Sequence, residues 1–141
     1  RPGDRPWKVG IQNPRGEGTV AAVALHDNEA MGTSGDYQRY FMKNGKRHPH
    51  IIDARTGQTI DLVASVTIIT SGGTDPGLRS DGNSKPLFLA GPLHWRAMAQ
   101  RLGLNEVMLI DANRNVEMTP AMRDRIASGK TVDAAKPLRT R

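Results

Sequence analysis

The sequence contains no cysteine. That removes disulfides, thiolate metal sites and cysteine nucleophiles, and it leaves the redox compartment undecided. No run of about 18 apolar residues occurs, so no membrane span is expected. The first residues, Arg1-Pro2-Gly3-Asp4-Arg5-Pro6, are polar and turn-rich and carry no secretory signal. The chain does not begin with methionine, and a mature, cut or excised piece is the expectation. Aromatics are scarce, with two each of Trp, Tyr and Phe. They do not interleave with basic residues as a base-stacking platform would, so no nucleic-acid partner is expected. No G-x-G-x-x-G, Walker, H-E-x-x-H or G-x-S-x-G motif is present.

What is present reads as a globular domain, or a piece of one. The 141 residues are 37% hydrophobic and 24% charged. Twenty Lys and Arg against 14 Asp and Glu give a net charge of +6. That excess suits an anionic partner or a simply solvated basic surface. Its densest stretches are Lys43 to Arg47 and the tail from Lys130 to Arg141.

Strand patterns cover Trp7–Gln12, Thr19–His26, Tyr37–Met42, Arg47–Ile52, Glu106–Asp111 and Val116–Met118. Asn44-Gly45 is a hairpin turn signal. Ser65–Thr70, SVTIIT, is apolar and β-branched enough to be buried on both faces. Ser71 to Asn83, with four glycines and Pro76, reads as a long loop. Helical spacing follows over Ser84–Ala90. It is interrupted at Gly91-Pro92 and resumes over Leu93–Leu102, with Leu93, Ala97 and Met98 on the buried face and Gly103 as the stop. Thr119-Pro120 starts a short helix through Ser128, closed by Gly129. The layout is α+β, a mostly antiparallel sheet with helices packed on one face. Its doubly apolar strands call for a covering layer that the chain does not obviously supply.

Three constellations carry chemistry. Thr33-Ser34-Gly35-Asp36-Tyr37 combines small residues with two hydroxyls and reads as a phosphate-holding loop or an ordinary turn. His50 stands at a strand end, as a general base, a phosphate contact or a structural imidazole. His48 lies two residues away, but two imidazoles without a third ligand do not make a zinc site. Asp53 and Thr56 read as turn formers. Asp81 precedes the helical pattern, where a carboxylate caps a helix or holds Mg²⁺ beside a phosphate.

The order of segments adds a resemblance. RPWKVGIQNPR (from Arg5), GTSGDYQRYF (from Gly32), NGKRHPHIIDARTG (from Asn44), SVTIIT (from Ser65) and SDGNSKPLFLAG (from Ser80) follow one another. Together they resemble the C-terminal half of the ApbE-type FAD:protein FMN transferase family, over roughly Arg5 to Asp111. The resemblance implies residues 1–129 as the C-terminal part of such a domain, with 130–141 as a basic tail. It implies Mg²⁺-dependent cleavage of FAD and attachment of FMN to a Thr or Ser of a target flavoprotein, with release of AMP. It also implies work in the bacterial periplasm or at the outer face of the inner membrane. Thr33, Ser34, Gly35, Asp36, His50, Ile51 and Thr56 would hold the cofactor. His50 would be the catalytic base and Asp81 the metal ligand.

The chain departs from the family pattern in three places. The family's A-D-A-L-[AS]-T-A is Ser80-Asp81-Gly82-Asn83-Ser84-Lys85-Pro86 here, so an ammonium replaces a ligand hydroxyl. The usual Pro after H-I-I-D is Ala54. The family's N-terminal half has no counterpart, and a second chain supplying it is one expectation. Two alternatives stand beside transfer: a flavin-binding maturation factor or carrier, and a non-catalytic basic interaction module.

Overall fold

The computed structural model describes residues 5–128. In chain order these form strands β1 (Trp7–Gln12), β2 (Thr19–Leu25), β3 (Glu29–Gly35), β4 (Tyr40–Lys43), β5 (Lys46–Pro49), β6 (Ile52–Asp53), β7 (Gln58–Thr59) and β8 (Val63–Ser71). Helix α1 (Pro76–Arg101), β9 (Glu106–Asp111), β10 (Val116–Met118) and α2 (Pro120–Ser128) follow. Gly129 and the expected basic tail, 130–141, lie outside the described residues.

The central sheet is antiparallel, in the order β10-β9-β8-β3, within the α+β class read from the sequence. β8 contains the SVTIIT run, and every residue in it except Ser71 is buried. Strand alternation turns Val66 and Ile68 to one face and Ile69 to the other. Ala64 is an extra residue between the pairs Val63–Asp111 and Ser65–Ile110. This bulge returns Val63 to the face of Val66. β9 alternates without interruption, Val107 and Leu109 on one face, Met108 and Ile110 on the other.

Helix α1 covers the first face with Leu87, Phe88, Trp95 and Ala99. The second is covered by Ile11, Ala21 and Val23 of the β1–β2 hairpin, together with Met122 of α2. The covering layer that the sequence left unassigned is therefore supplied by the chain itself. Each fully buried Val, Leu, Ile or Phe side chain contributes roughly 1.5–3 kcal/mol relative to exposure, so β8 and β9 anchor the fold.

Several boundaries differ from the sequence expectation. Thr33-Ser34-Gly35 is not a loop but the end of β3, paired with Ser65–Thr67. The strand expected from Tyr37 begins at Tyr40, while Asn44 and Gly45 form the expected turn, both at positive φ (51° and 71°). The loop expected over 71–83 is largely helix, since α1 begins at Pro76. Gly77 and Gly82 disfavour helix intrinsically, but buried Ser80 and Ser84 dock this stretch against the sheet, and packing overrides propensity. The break at Gly91-Pro92 is real, with Gly91 at φ 70°. Beyond it, Trp95 and Ala99 face the core and Leu93 and Ala97 face solvent. At about 100° per residue, Leu93 lies on the opposite side of the helix from Trp95.

Arg125 of α2 ties the layers together. Its guanidinium donates to Glu29 (2.7 and 2.8 Å), to Glu106 (2.9 and 3.0 Å) and to the Ala24 carbonyl (2.9 Å). The hydrogen bonds from Arg125 hold the Glu29 carboxyl below its ordinary value, against the opposing effect of burial. A carboxyl lowered by folding stabilises the fold above its unfolded pKa, and that contribution is lost as pH falls through the folded value. Arg125→Met is therefore expected to cost roughly 3 kcal/mol at neutral pH. The difference from wild type should shrink below about pH 4. Urea midpoints taken across pH check this, and parallel curves for the two proteins would exclude it.

Candidate functional site

The elements that meet at the end of β3 form a cleft of about 180 Å³. Of the residues expected in a site, it is lined by Thr33, Ser34, Gly35, His50 and Asp81. Tyr37, next to that segment in sequence, and Lys85, noted as a departure from the family pattern, line it too, together with Gln38 and Arg39, which the sequence reading did not single out.

Gly32 sets the geometry. A Cβ there would fall 2.7 Å from the carbonyl carbon of Ser80 and 2.9 Å from the amide nitrogen of Asp81. The backbone of α1 thus rests directly on β3, which puts Asp81 and Lys85 beside Thr33 to Gly35. Gly32→Ala should push the helix off the strand and cost about 1–3 kcal/mol. A thermal melt tests this, and an unchanged melting temperature would refute it.

Ser84 donates its only hydroxyl proton to the Asp81 carbonyl (2.7 Å), so the 2.6 Å contact between Ser34 and Ser84 is a bond donated by Ser34. Ser34 is buried and its proton is committed; it shapes the wall. Thr33 and Thr67 share one hydrogen bond (2.9 Å); with buried Thr67 as its donor, the Thr33 hydroxyl proton is left for a ligand. Gly35 is needed because the Tyr37 ring folds over it, onto the place where a Cβ would stand. Burial, and secondly the nearby Asp36 charge, push the Tyr37 phenol above its ordinary pKa. It stays a neutral hydrogen-bonding group.

His50 follows β5, and both its backbone N–H and its Nδ1 bond the Arg39 carbonyl (3.0 and 3.1 Å). A carbonyl only accepts, so Nδ1 carries the proton and Nε2 presents its lone pair. This is the arrangement a general base requires.

Three expected cofactor residues are placed elsewhere. Asp36 is buried and points to a second hollow, where Arg15 holds it through two bonds (2.5 and 2.6 Å). Ile51 belongs to the core beneath α1. Thr56 is exposed in the Asp53–Gly57 turn, and its hydroxyl accepts from the Gln58 amide (3.2 Å). In the same turn, hydrogen bonds from Arg55 bring the Asp53 carboxyl down to about 2.

Asp81 does not cap a helix. It sits in the second turn of α1, exposed, with the Lys85 ammonium on its carboxylate in an i,i+4 pair. Lys85 Nζ also donates to the Asp81 carbonyl (2.9 Å). Among the described residues, Asp81 is the only carboxylate lining the cleft. Among the described residues no group of three or more His, Asp or Glu could hold a metal ion. Mg²⁺ favours near-octahedral oxygen ligation, so the described residues do not by themselves fit the metal expected at Asp81.

Comparison with known proteins places these features in a family. The model of the ApbE family matches residues 1–109. An FAD:protein FMN transferase of Rhodobacter capsulatus is 40% identical over 88% of this chain, and one of Haemophilus influenzae is 36% identical over 75%. The crystal structure of the ApbE protein of Thermotoga maritima matches with a TM-score of 0.74 and 30% identity over 86% of this chain. That of the flavinyl transferase ApbE of Pseudomonas stutzeri, in its apo form, matches with a TM-score of 0.64 and 32% identity over 90%. The chain spans 23% and 30% of the two curated relatives and 38% of each solved chain. A family model covering more than half of the sequence, with the same fold in solved members, settles the assignment: the chain belongs to the ApbE family.

Proposed function

We propose that this chain forms part of an FAD:protein FMN transferase and holds the diphosphate of FAD in the cleft at the end of β3. One observation carries the reading. Thr33 and Gly35 of the strand, His50 after β5, and Asp81 and Lys85 of α1, far apart in sequence, line a single cleft. The Thr33 hydroxyl, free to donate when Thr67 donates to it, and two cationic side chains, Arg39 and Lys85, suit a phosphate oxygen. The open Nε2 of His50 suits a proton leaving an acceptor hydroxyl.

In the proposed reaction the Thr or Ser oxygen of a target flavoprotein attacks the phosphorus on the FMN side. A new P–O bond forms, the P–O bond of the diphosphate breaks, AMP leaves, and His50 takes the hydroxyl proton. Positioning and charge stabilisation provide most of the catalysis in such transfers. The family resemblance extends the proposal to a periplasmic site of action. A divalent cation, where one takes part, needs ligands beyond the described residues.

The test incubates the full-length protein with FAD and a target carrying an acceptor Thr or Ser, and follows AMP release and covalent flavin. Both products together support transfer. FAD binding without AMP supports the carrier reading, which the engagement of Asp81 by Lys85 favours. No flavin binding refutes both.

A further inference from the structure

We infer that Lys85 is itself the counter-charge for the diphosphate, so that FAD binding in this protein does not depend on a divalent cation. The inference rests on the reading of the cleft as the FAD site, and it starts from the donor set.

A hard divalent cation needs several oxygen ligands, with carboxylates prominent among them. Among the described residues the cleft offers one carboxylate, Asp81, and the Lys85 ammonium is already on it. A metal ion entering there would meet a fixed positive charge and would have to displace it. A diphosphate is doubly anionic and meets the opposite situation. Lys85 and Arg39 against Asp81 leave the cleft lining with an excess of positive charge, and that attracts it.

The geometry of Lys85 supports the assignment. An ammonium has three N–H donors and no acceptor. One goes to the Asp81 carbonyl (2.9 Å) and one to the Asp81 carboxylate. The third is left for a ligand oxygen. Asp81 on this account is a positioning residue, because it fixes the ammonium instead of ligating a metal. The helix carrying the pair is seated on β3 at Gly32, which keeps the backbone of Asp81 and Lys85 beside the strand end that carries Thr33. Lysine serves other phosphate sites as a compact point charge in the same way.

FAD binding to the full-length protein, measured by flavin fluorescence or calorimetry in EDTA and again in excess Mg²⁺, decides the matter without any turnover. The wild-type dissociation constants in the two buffers should agree within threefold. Lys85→Met should weaken binding in EDTA at least tenfold, and Lys85→Arg, which keeps the charge, should recover most of that loss. Lys85 is 43% exposed at its side chain, so both variants should fold, which their melting temperatures would verify. Wild-type binding at least tenfold tighter with Mg²⁺, or undiminished binding by Lys85→Met, overturns the inference and leaves the FAD reading standing. Absence of FAD binding in both buffers overturns both.

Discussion

His50→Ala should slow flavin transfer by about 10²–10⁴-fold, the usual range for loss of a general base, while FAD binding changes only severalfold. AMP release at saturating FAD and acceptor is the measurement, with flavin fluorescence reporting the dissociation constant. The split follows from where His50 stands. Its Nδ1–H is committed to the Arg39 carbonyl, so the imidazole is oriented before any substrate arrives, and Nε2 is the atom left for chemistry. His50→Asn separates the roles, because its amide still donates to a carbonyl but offers no basic nitrogen. If orientation of the Arg39 segment were all that mattered, asparagine would restore the rate. If proton transfer matters, asparagine is as slow as alanine. A loss below fivefold for both variants would remove His50 from the base role.

The Arg39 carbonyl receives two bonds from His50 while its side chain lines the cleft. The loop between β3 and β4 thereby couples the candidate base to the wall that faces the phosphate.

Much of this was legible in the sequence, for physical reasons. SVTIIT had to be a doubly buried strand because its two faces are equally apolar, and Asn44-Gly45 had to turn because both residues adopt positive φ readily. The grouping of Thr33, Ser34, Gly35, His50 and Asp81 was legible through the family resemblance, not through spacing. What escaped was set by tertiary contact. Glycines over 72–82 suggested a loop, yet two of them lie in α1, and the helix approaches β3 so closely at Gly32 that only glycine fits there. Thr33 to Gly35 looked like loop residues because they are small, and they are small because a helix packs over that end of the strand. Asp36 looked like a cofactor contact, but its partner, Arg15, is 21 residues away in sequence. No local pattern announces such a pair. Lys85 was visible as a departure from the family pattern, but its place on the Asp81 carboxylate follows only from Asp81 being helical, which turns four residues into one turn of separation.

Trp95→Ala should be the most destabilising single change in α1, by roughly 3–5 kcal/mol. That is a large share of the 5–15 kcal/mol or so typical of a whole domain. Trp95 is fully buried in the core that α1 forms with Val107 and Leu109 of β9, beyond the break at Gly91. Its indole N–H donates to Glu117 (3.2 Å), and Arg96 lies over the ring at 4.4 Å while also pairing with Glu117 (3.1 Å). Packing and polar contacts therefore meet at one residue, and Trp95→Phe distinguishes them. Phenylalanine keeps most of the apolar volume but leaves Glu117 without the indole donor. Because Glu117 is partly exposed and keeps Arg96, that loss should be only about 1 kcal/mol. Urea unfolding of the three proteins gives the comparison. A phenylalanine variant as unstable as the alanine variant would show that the hydrogen bond, not the ring, carries the stability. The two halves of α1 are joined by a break, so a change at Trp95 should reach the fold before it reaches the cleft. At temperatures where Trp95→Phe is fully folded, its FAD affinity should match wild type. A tenfold loss there would mean that α1 transmits strain across Gly91 to Lys85.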